Sequence, residues 1–147
     1  MQIDADTLLC RQIVERAQDA VIFSDREGLI RLWNSGAERT FGYLTEDALG
    51  RTLDMIIPEQ LRERHWEGYR KVMAIGRSRY ESQLLAVPAI RKDRSRISVE
   101  FSLVPIYDER GQMDGIAAII REVTERWKQE KATRQRLVQL ESHCQSK

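Results

Sequence analysis

GLIRLWNSGAERTFGYLTEDALGR, residues Gly28–Arg51, is the stretch that decides how this chain folds. A β-rich run, LIRLWN (Leu29–Asn34), passes directly into helix-capping residues. Asn34 or Ser35 can open a short helix in which Ala37 and Phe41, with Thr40 beside them, face inward, and Gly42 ends it. Thr45 reads as a second cap. Glu46 and Asp47 follow it where negative charge favours a helix N-terminus, and Gly50 closes the turn. The stretch contains turn signals and apolar positions but no catalytic apparatus. That combination suits a domain that encloses or reports something, not one that transforms it.

Reading outward, AVIFSD (Ala20–Asp25) and LIRLWN are joined by a turn around Arg26–Gly28, which makes a hairpin. Upstream, Leu8, Leu9, Ile13, Val14 and Ala17 recur at helical steps over Asp4–Gln18. Downstream, Pro58 opens a helix over Glu59–Ile75 and Gly76 ends it. Tyr80–Ile90 is mixed, and Pro88 confines it to an edge or bulge. After the charged turn Arg91–Ser95, Ile97, Val99, Phe101 and Leu103 alternate with polar residues as a half-buried strand. Asp114–Val123 reads as a strand buried on both faces or nearly so, and Thr124 to about His143 as a charged helix with Thr124 as its cap. The order predicts an α+β fold: an antiparallel sheet with helices on one face. The expected divisions are an amphipathic helix (residues 1–18), a core domain (19–123) and a charged helix (124–147).

A domain of 147 residues buries roughly 68–70% of its unfolded surface, enough for a core without metal or disulfides. Charged residues make up 32% of the chain, yet the formal net charge is only +1, so no electrostatic footprint for nucleic acid or an anionic membrane is present. The two cysteines, Cys10 and Cys144, sit near opposite ends and imply no disulfide framework. The longest apolar run, Gly115–Ile120, is far short of a membrane span. The expected setting is therefore the reducing cytoplasm, with no membrane and no direct nucleic-acid partner. Phosphate-loop, zinc-protease and serine-hydrolase templates are absent, so no residue is assigned a catalytic role.

Several pieces together resemble the PAS family of sensory domains. They are the hairpin DAVIFSDREGLIRLWN (Asp19–Asn34), the AExxFGY element (Ala37–Tyr43), EDALGR (Glu46–Arg51), IIPE (Ile56–Glu59), the RKD turn (Arg91–Asp93) with the strand after it, and REVTER (Arg121–Arg126). Each is weak alone; their order and spacing carry the match over about Asp19–Arg126. Two departures stand out. Arg94 occupies a place where the family usually has glycine, implying a different turn geometry, and Glu122 replaces the usual aspartate before the threonine. The resemblance implies a five-stranded antiparallel sheet with a pocket between sheet and longest helix. It also implies ligands that range from heme and flavin to small metabolites or none, and frequent use as a dimerisation module.

The pocket residues expected on this basis are Trp33, Phe41, Leu53, Ile57, Leu61, His65, Tyr69, Val72, Leu85, Val99, Phe101 and Ile119. Leu61, His65, Tyr69, Val72 and Ile75 fall at steps of four, four, three and three, which puts His65 on the apolar stripe. Two readings of His65 stand side by side. It is a structural histidine bonded to a carbonyl or to Tyr80, or it is an axial ligand, since oxygen-sensing heme-binding members take their proximal histidine from this helix. For heme, Lys71 and Arg79 lie where propionate donors are needed, while Leu85 or a neighbour stands where that subfamily has a distal arginine. Trp33, Asn34 and Phe41 likewise read either as a pocket mouth or as core aromatics with a cap. Flavin-cysteinyl adduct chemistry is excluded on residue type, because Thr52-Leu53-Asp54 replaces the cysteine-bearing element. Asp47 is positioned to pair with Lys92.

The flanking helices supply the expected dimer interface. Leu8, Leu9, Ile13 and Val14 form one surface; Trp127, just inside the cap of the last helix, joins Leu137 and Leu140 on the other, where Leu137, Leu140 and Cys144 fall at seam spacing that turns polar at Thr133, Glu130 and Arg126. The seam suits either a solvated helix or a signalling helix paired with a second subunit. The reading is a stand-alone cytoplasmic homodimeric sensor that regulates an effector in trans, including transcription through a partner. A heme-binding gas or redox sensor is the alternative.

Overall fold

Asp25 organises the turn that starts the sheet. One carboxylate oxygen accepts the N–H groups of Glu27 and Leu29, each at 3.0 Å, and the other accepts Arg31 Nε at 2.8 Å. Gly28 completes the turn at φ +82°, donating its N–H to the Asp25 carbonyl at 2.9 Å. The strands so joined are β1 (Ala20–Asp25) and β2 (Ile30–Trp33). In the computed structural model, which describes residues 2–77 and 83–145, they are preceded by α1 (Ala5–Arg16) and followed by α2 (Ser35–Phe41), α3 (Thr45–Ala48), a 3-10 turn (Leu53–Ile56) and α4 (Glu59–Ile75). Then come β3 (Leu85–Ile90), β4 (Arg96–Tyr107), β5 (Met113–Glu122) and α5 (Thr124–Gln145). The five strands pair antiparallel in the order β2-β1-β5-β4-β3, giving the expected α+β architecture. Pro88 lies on β3, an edge strand, where its missing N–H is tolerated. The expected strand start at Tyr80 lies outside the described residues.

Side-chain direction follows from register. Phe101 pairs with Ile120 and Leu103 with Ala118, while Ala20 and Ile22 pair with Ile120 and Ala118, so these residues share the inner face beneath the helices. Ile119 pairs with Ser102 and Val21 and therefore lies on the opposite, outer face, where it is 41% exposed. This corrects two expectations. β5 is not buried on both faces, and Ile119 is not a pocket residue. The run Gly115–Ile120 is apolar at every position, so its alternation is invisible until the partner strand fixes the parity.

The caps follow the sequence at α2, where Asn34 Oδ1 accepts Ala37 N–H at 2.9 Å and Gly42 takes the left-handed conformation at φ +86°. Asn34 also accepts Val21 N–H and donates to the carbonyls of Val14 and Asp19, so one buried amide joins α1, β1 and α2. Thr45 does not cap α3; its hydroxyl donates to the Trp33 carbonyl at 2.9 Å and Leu44 holds the cap position. Thr124 is likewise engaged elsewhere, its Oγ1 receiving Ser98 N–H at 3.1 Å and donating to Glu122 at 3.1 Å. Glu122 also pairs with Arg91. The carboxylate one methylene longer than the family's aspartate thus ties the root of α5 to the β3–β4 turn. Arg94 takes φ +70° in that turn, the left-handed conformation for which glycine is usual, so the expected change of turn geometry at this residue is not found. No helix among the described residues is long and apolar enough to cross a membrane.

Candidate site beneath the long helix

α4 is delimited as its sequence dictates: Pro58 at the cap, Glu59 in the first turn and Gly76 at φ +80° returning its N–H to Val72 O at 2.9 Å. Its inward face carries Leu61, His65, Tyr69 and Val72 of the expected stripe and is widened by Trp66 and Met73. Tyr69 is the buried residue, Trp66 and Met73 are packed beside it, and Ile75 is exposed. Trp66–Tyr69–Met73, at steps of three and four, satisfies helical periodicity as well as the stripe through His65 does.

Two anchors hold this helix. Tyr69 Oη donates to the Asp25 carbonyl at 2.5 Å and accepts from Ser24 Oγ at 2.9 Å, a buried contact between α4 and β1. Burial, the largest influence, pushes the Tyr69 hydroxyl above its ordinary pKa, so it stays protonated as donor. Trp66 Nε1 donates to Asp54 Oδ1 at 2.7 Å and thereby binds α4 to the 3-10 turn. The Trp66 ring lies against Gly28, where an added Cβ would meet it at 2.4 Å. Trp66 was not singled out from the sequence. The glycine opposite it is the signal that pairs with it.

The core on the inner face falls into two groups. Trp33, Phe41, Val99 and Ile97 are buried together, with Leu53, Ile57 and Phe101 packed against them. Tyr69, Met113 and Ile116 form the other, with Trp66, Val72, Met73 and Leu103 around them. Trp33 and Phe41 are core residues, their rings 5.7 Å apart and Trp33 Nε1 bonded to Tyr43 O at 3.0 Å; they line no mouth. Leu61 and Leu85 are half-buried and join neither group. On β3, Val87 faces inward by its register with Val99, yet it is 41% exposed. The inner face is therefore partly open to solvent at Val87, on the edge strand β3.

His65 lies on α4, one turn before Tyr69. Its ring stands edge-on to Trp66 at 4.7 Å and tilted over Tyr69 at 5.9 Å. Nδ1 is buried without a hydrogen-bond partner. Burial holds the imidazole below its ordinary pKa, with Asp54 opposing, so His65 is neutral near pH 7. The structure thus bonds Nδ1 to no carbonyl; Tyr80 and Arg79 lie outside the described residues. Lys71 is exposed and 3.8 Å from Glu67. Lys92 directs its ammonium over the Tyr43 ring at 6.0 Å, whereas Asp47 lies in the first turn of α3. Among the described residues no group of three or more His, Cys, Asp or Glu could hold a metal ion. Leu8, Leu9, Ile13, Trp127, Leu137 and Leu140 are all exposed and Val14 is half-buried; neither flanking helix contains a buried residue. Cys10 and Cys144 are exposed on those helices.

A sheet of this topology with a stand-off helix over its inner face defines a class, and comparison with known proteins gives the family. The chain belongs to the PAS family: the family model described as PAS fold matches residues 14–128. It is similar to the oxygen sensor protein DosP of Escherichia coli, 28% identical over 134 residues, covering 91% of this chain and 16% of DosP. The sensor protein FixL of Bradyrhizobium diazoefficiens is 38% identical over 55 residues, 37% of this chain and 11% of FixL. Among solved structures, the PAS domain of a Colwellia psychrerythraea protein superposes with TM-score 0.70 at 25% identity, covering 80% of this chain and 97% of that one. The chain spans a sixth or less of the sensor proteins it matches.

Proposed function

We propose that this PAS domain is a sensory and protein-interaction module without catalytic activity. It reads a small ligand or a partner in the opening beneath α4, and it passes the result through its flanking helices in a cytoplasmic homodimer to an effector in trans. The observation that carries this reading is the exposure of inward-facing Val87 beside half-buried Leu85 on the edge strand β3, with Leu61 and His65 half-buried on α4. A molecule seated there would touch β3, and β3 leads through the Arg91–Glu122 pair to the root of α5. A ligand shifts such a linkage only by its differential affinity for the two arrangements. Native mass spectrometry of the purified chain, with sedimentation equilibrium, tests the reading. A dimer with a bound small molecule supports it; a monomer at high concentration with no bound mass overturns it.

A second reading is favoured by His65 alone. A neutral imidazole with one ring nitrogen buried and unpartnered suits axial ligation of heme, and the similarity to DosP and FixL points the same way. His65 would hold the iron, with Lys71 as the propionate donor expected from the sequence. The group would supply a binding position for a diatomic gas. A Soret band that appears on hemin addition and is lost in His65→Ala supports this; no band, or one indifferent to the substitution, rejects it.

A further inference from the structure

Two cations converge on the ring of Tyr43, between α2 and α3. The Arg51 guanidinium lies over it at 5.7 Å and the Lys92 ammonium at 6.0 Å. The tyrosine is itself held: its carbonyl accepts Trp33 Nε1 at 3.0 Å, its hydroxyl donates to Met55 O at 3.4 Å, and the Trp33 ring stands edge-on to it at 6.4 Å. The two cations come from distant parts of the chain on fixed backbone. Arg51 O accepts Ile30 N–H at 2.8 Å, and Lys92 N–H donates to Phe41 O at 2.8 Å. An aromatic ring attracts a cation without neutralising it, so both charges stay open to an anion. Neighbouring carboxylates do not fill that place. Glu38 accepts Thr45 N–H at 2.8 Å, Asp93 accepts from Ser95 Oγ at 2.6 Å, and exposed Glu46 and Asp47 form no ion pair with either cation. Beside the cations are two uncovered leucines. Leu44, next to Tyr43, is 52% exposed, and Leu49, two residues before Arg51, is 44% exposed; the single turn of α3 joins them.

We propose that this surface docks a partner protein through a segment that carries a carboxylate beside apolar side chains. The Arg51 fork and the Lys92 ammonium receive the carboxylate in charge-assisted hydrogen bonds, and Leu44 and Leu49 take the apolar side chains. The leucines distinguish this surface from a site for a free anion, because an inorganic ion would leave them in water. The ring gathers both cations before a partner arrives, which lowers the ordering cost of binding. Tyrosine and arginine are also residue types that concentrate binding energy at protein interfaces. Glu46 and Asp47 repel carboxylates laid along α3, so the segment presents its charge at Tyr43 and uncharged or basic side chains across α3. The proposal rests on the reading of this chain as a protein-interaction module with an effector in trans, and it names the chemistry of the effector's segment. It does not depend on a ligand beneath α4.

The test uses the full chain, isotope-labelled, and three capped peptides with the cores Leu-Glu-Leu, Leu-Gln-Leu and Ala-Glu-Ala. Titration with the first shifts the backbone amides of Tyr43, Leu44, Leu49, Arg51 and Lys92, and the other two bind at least fivefold more weakly. The double variant Arg51→Gln/Lys92→Gln weakens the first peptide at least fivefold; the peptide comparison on the wild-type chain does not depend on how that variant folds. Unmoved amides, shifts confined to α5, or equal binding of either comparison peptide overturns the proposal. So does inorganic phosphate that gives the same shifts at equal affinity, which makes the surface an anion site only. The two failures are distinguishable: a monomer without bound mass counts against the sensory homodimer, whereas unmoved amides count against this surface.

Discussion

Tyr69→Phe removes one oxygen from a buried site, where Tyr69 Oη also lies 3.2 Å from the Ser24 carbonyl, a weaker acceptor. Tyr69 and Ser24 are both buried, and the tyrosine hydroxyl is donor to Asp25 O and acceptor from Ser24 Oγ. The Asp25 carbonyl does not become an orphan, because Gly28 N–H still reaches it at 2.9 Å. The Ser24 hydroxyl does lose its acceptor. Leaving one buried hydroxyl unsatisfied costs about 1–3 kcal/mol, and the retained bond at Asp25 favours the lower half, about 1–2 kcal/mol. For a domain of this length that lowers the melting temperature by roughly 3–6 °C. Urea denaturation followed by circular dichroism reads it as a lower midpoint at unchanged slope. The double variant Ser24→Ala/Tyr69→Phe removes both groups and recovers part of the loss, with a coupling of about 0.5–1.5 kcal/mol. An unchanged midpoint in Tyr69→Phe, or strict additivity in the pair, refutes the claim that this contact anchors α4.

Gly28→Ala forces a side chain into a left-handed turn and onto the Trp66 ring, so it destabilises by about 2 kcal/mol or more and shifts tryptophan emission. An unaffected spectrum would place Trp66 elsewhere. His65 binds its proton less readily folded than unfolded, so the unfolded state holds more protons below the ordinary imidazole value of about 6.5. Stability therefore falls as pH drops below that value, and His65→Gln flattens this part of the profile; a profile identical in both chains contradicts the burial argument. Glu122→Gln removes a partly exposed ion pair and costs at most about 1 kcal/mol. It nevertheless speeds amide hydrogen exchange in the first turn of α5; unchanged exchange there means Arg91 and Glu122 do not secure that helix.

The fold was legible where chemistry leaves one option. Asp25 and Gly28 make a turn, period-two alternation from Ile97 to Leu103 makes a strand with a wet face, and Pro58 and Gly76 bracket a helix. What sequence could not fix was width and parity. The inward face of α4 is wider than the stripe Leu61–His65–Tyr69–Val72, because Gly28, distant in the chain, makes room for the Trp66 indole. Ile119 sits in a wholly apolar run, so only pairing with Ser102 shows that it faces out. Thr45 and Thr124 have the hydroxyls that favour cap positions, but Trp33 O and Ser98 N–H, far away in the chain, claim them. The outer face escaped sequence reasoning for the same reason: Val104 and Ile106 continue a strand whose inward positions had already been counted.

The central claim is that a signal is read beneath α4, against β3. Native mass spectrometry of the purified wild type and of Leu85→Trp, which places an indole in that opening, tests it most directly. Wild type with one small molecule bound per chain and Leu85→Trp with none is the expected result. A bound mass retained equally in both chains would contradict the placement of the site.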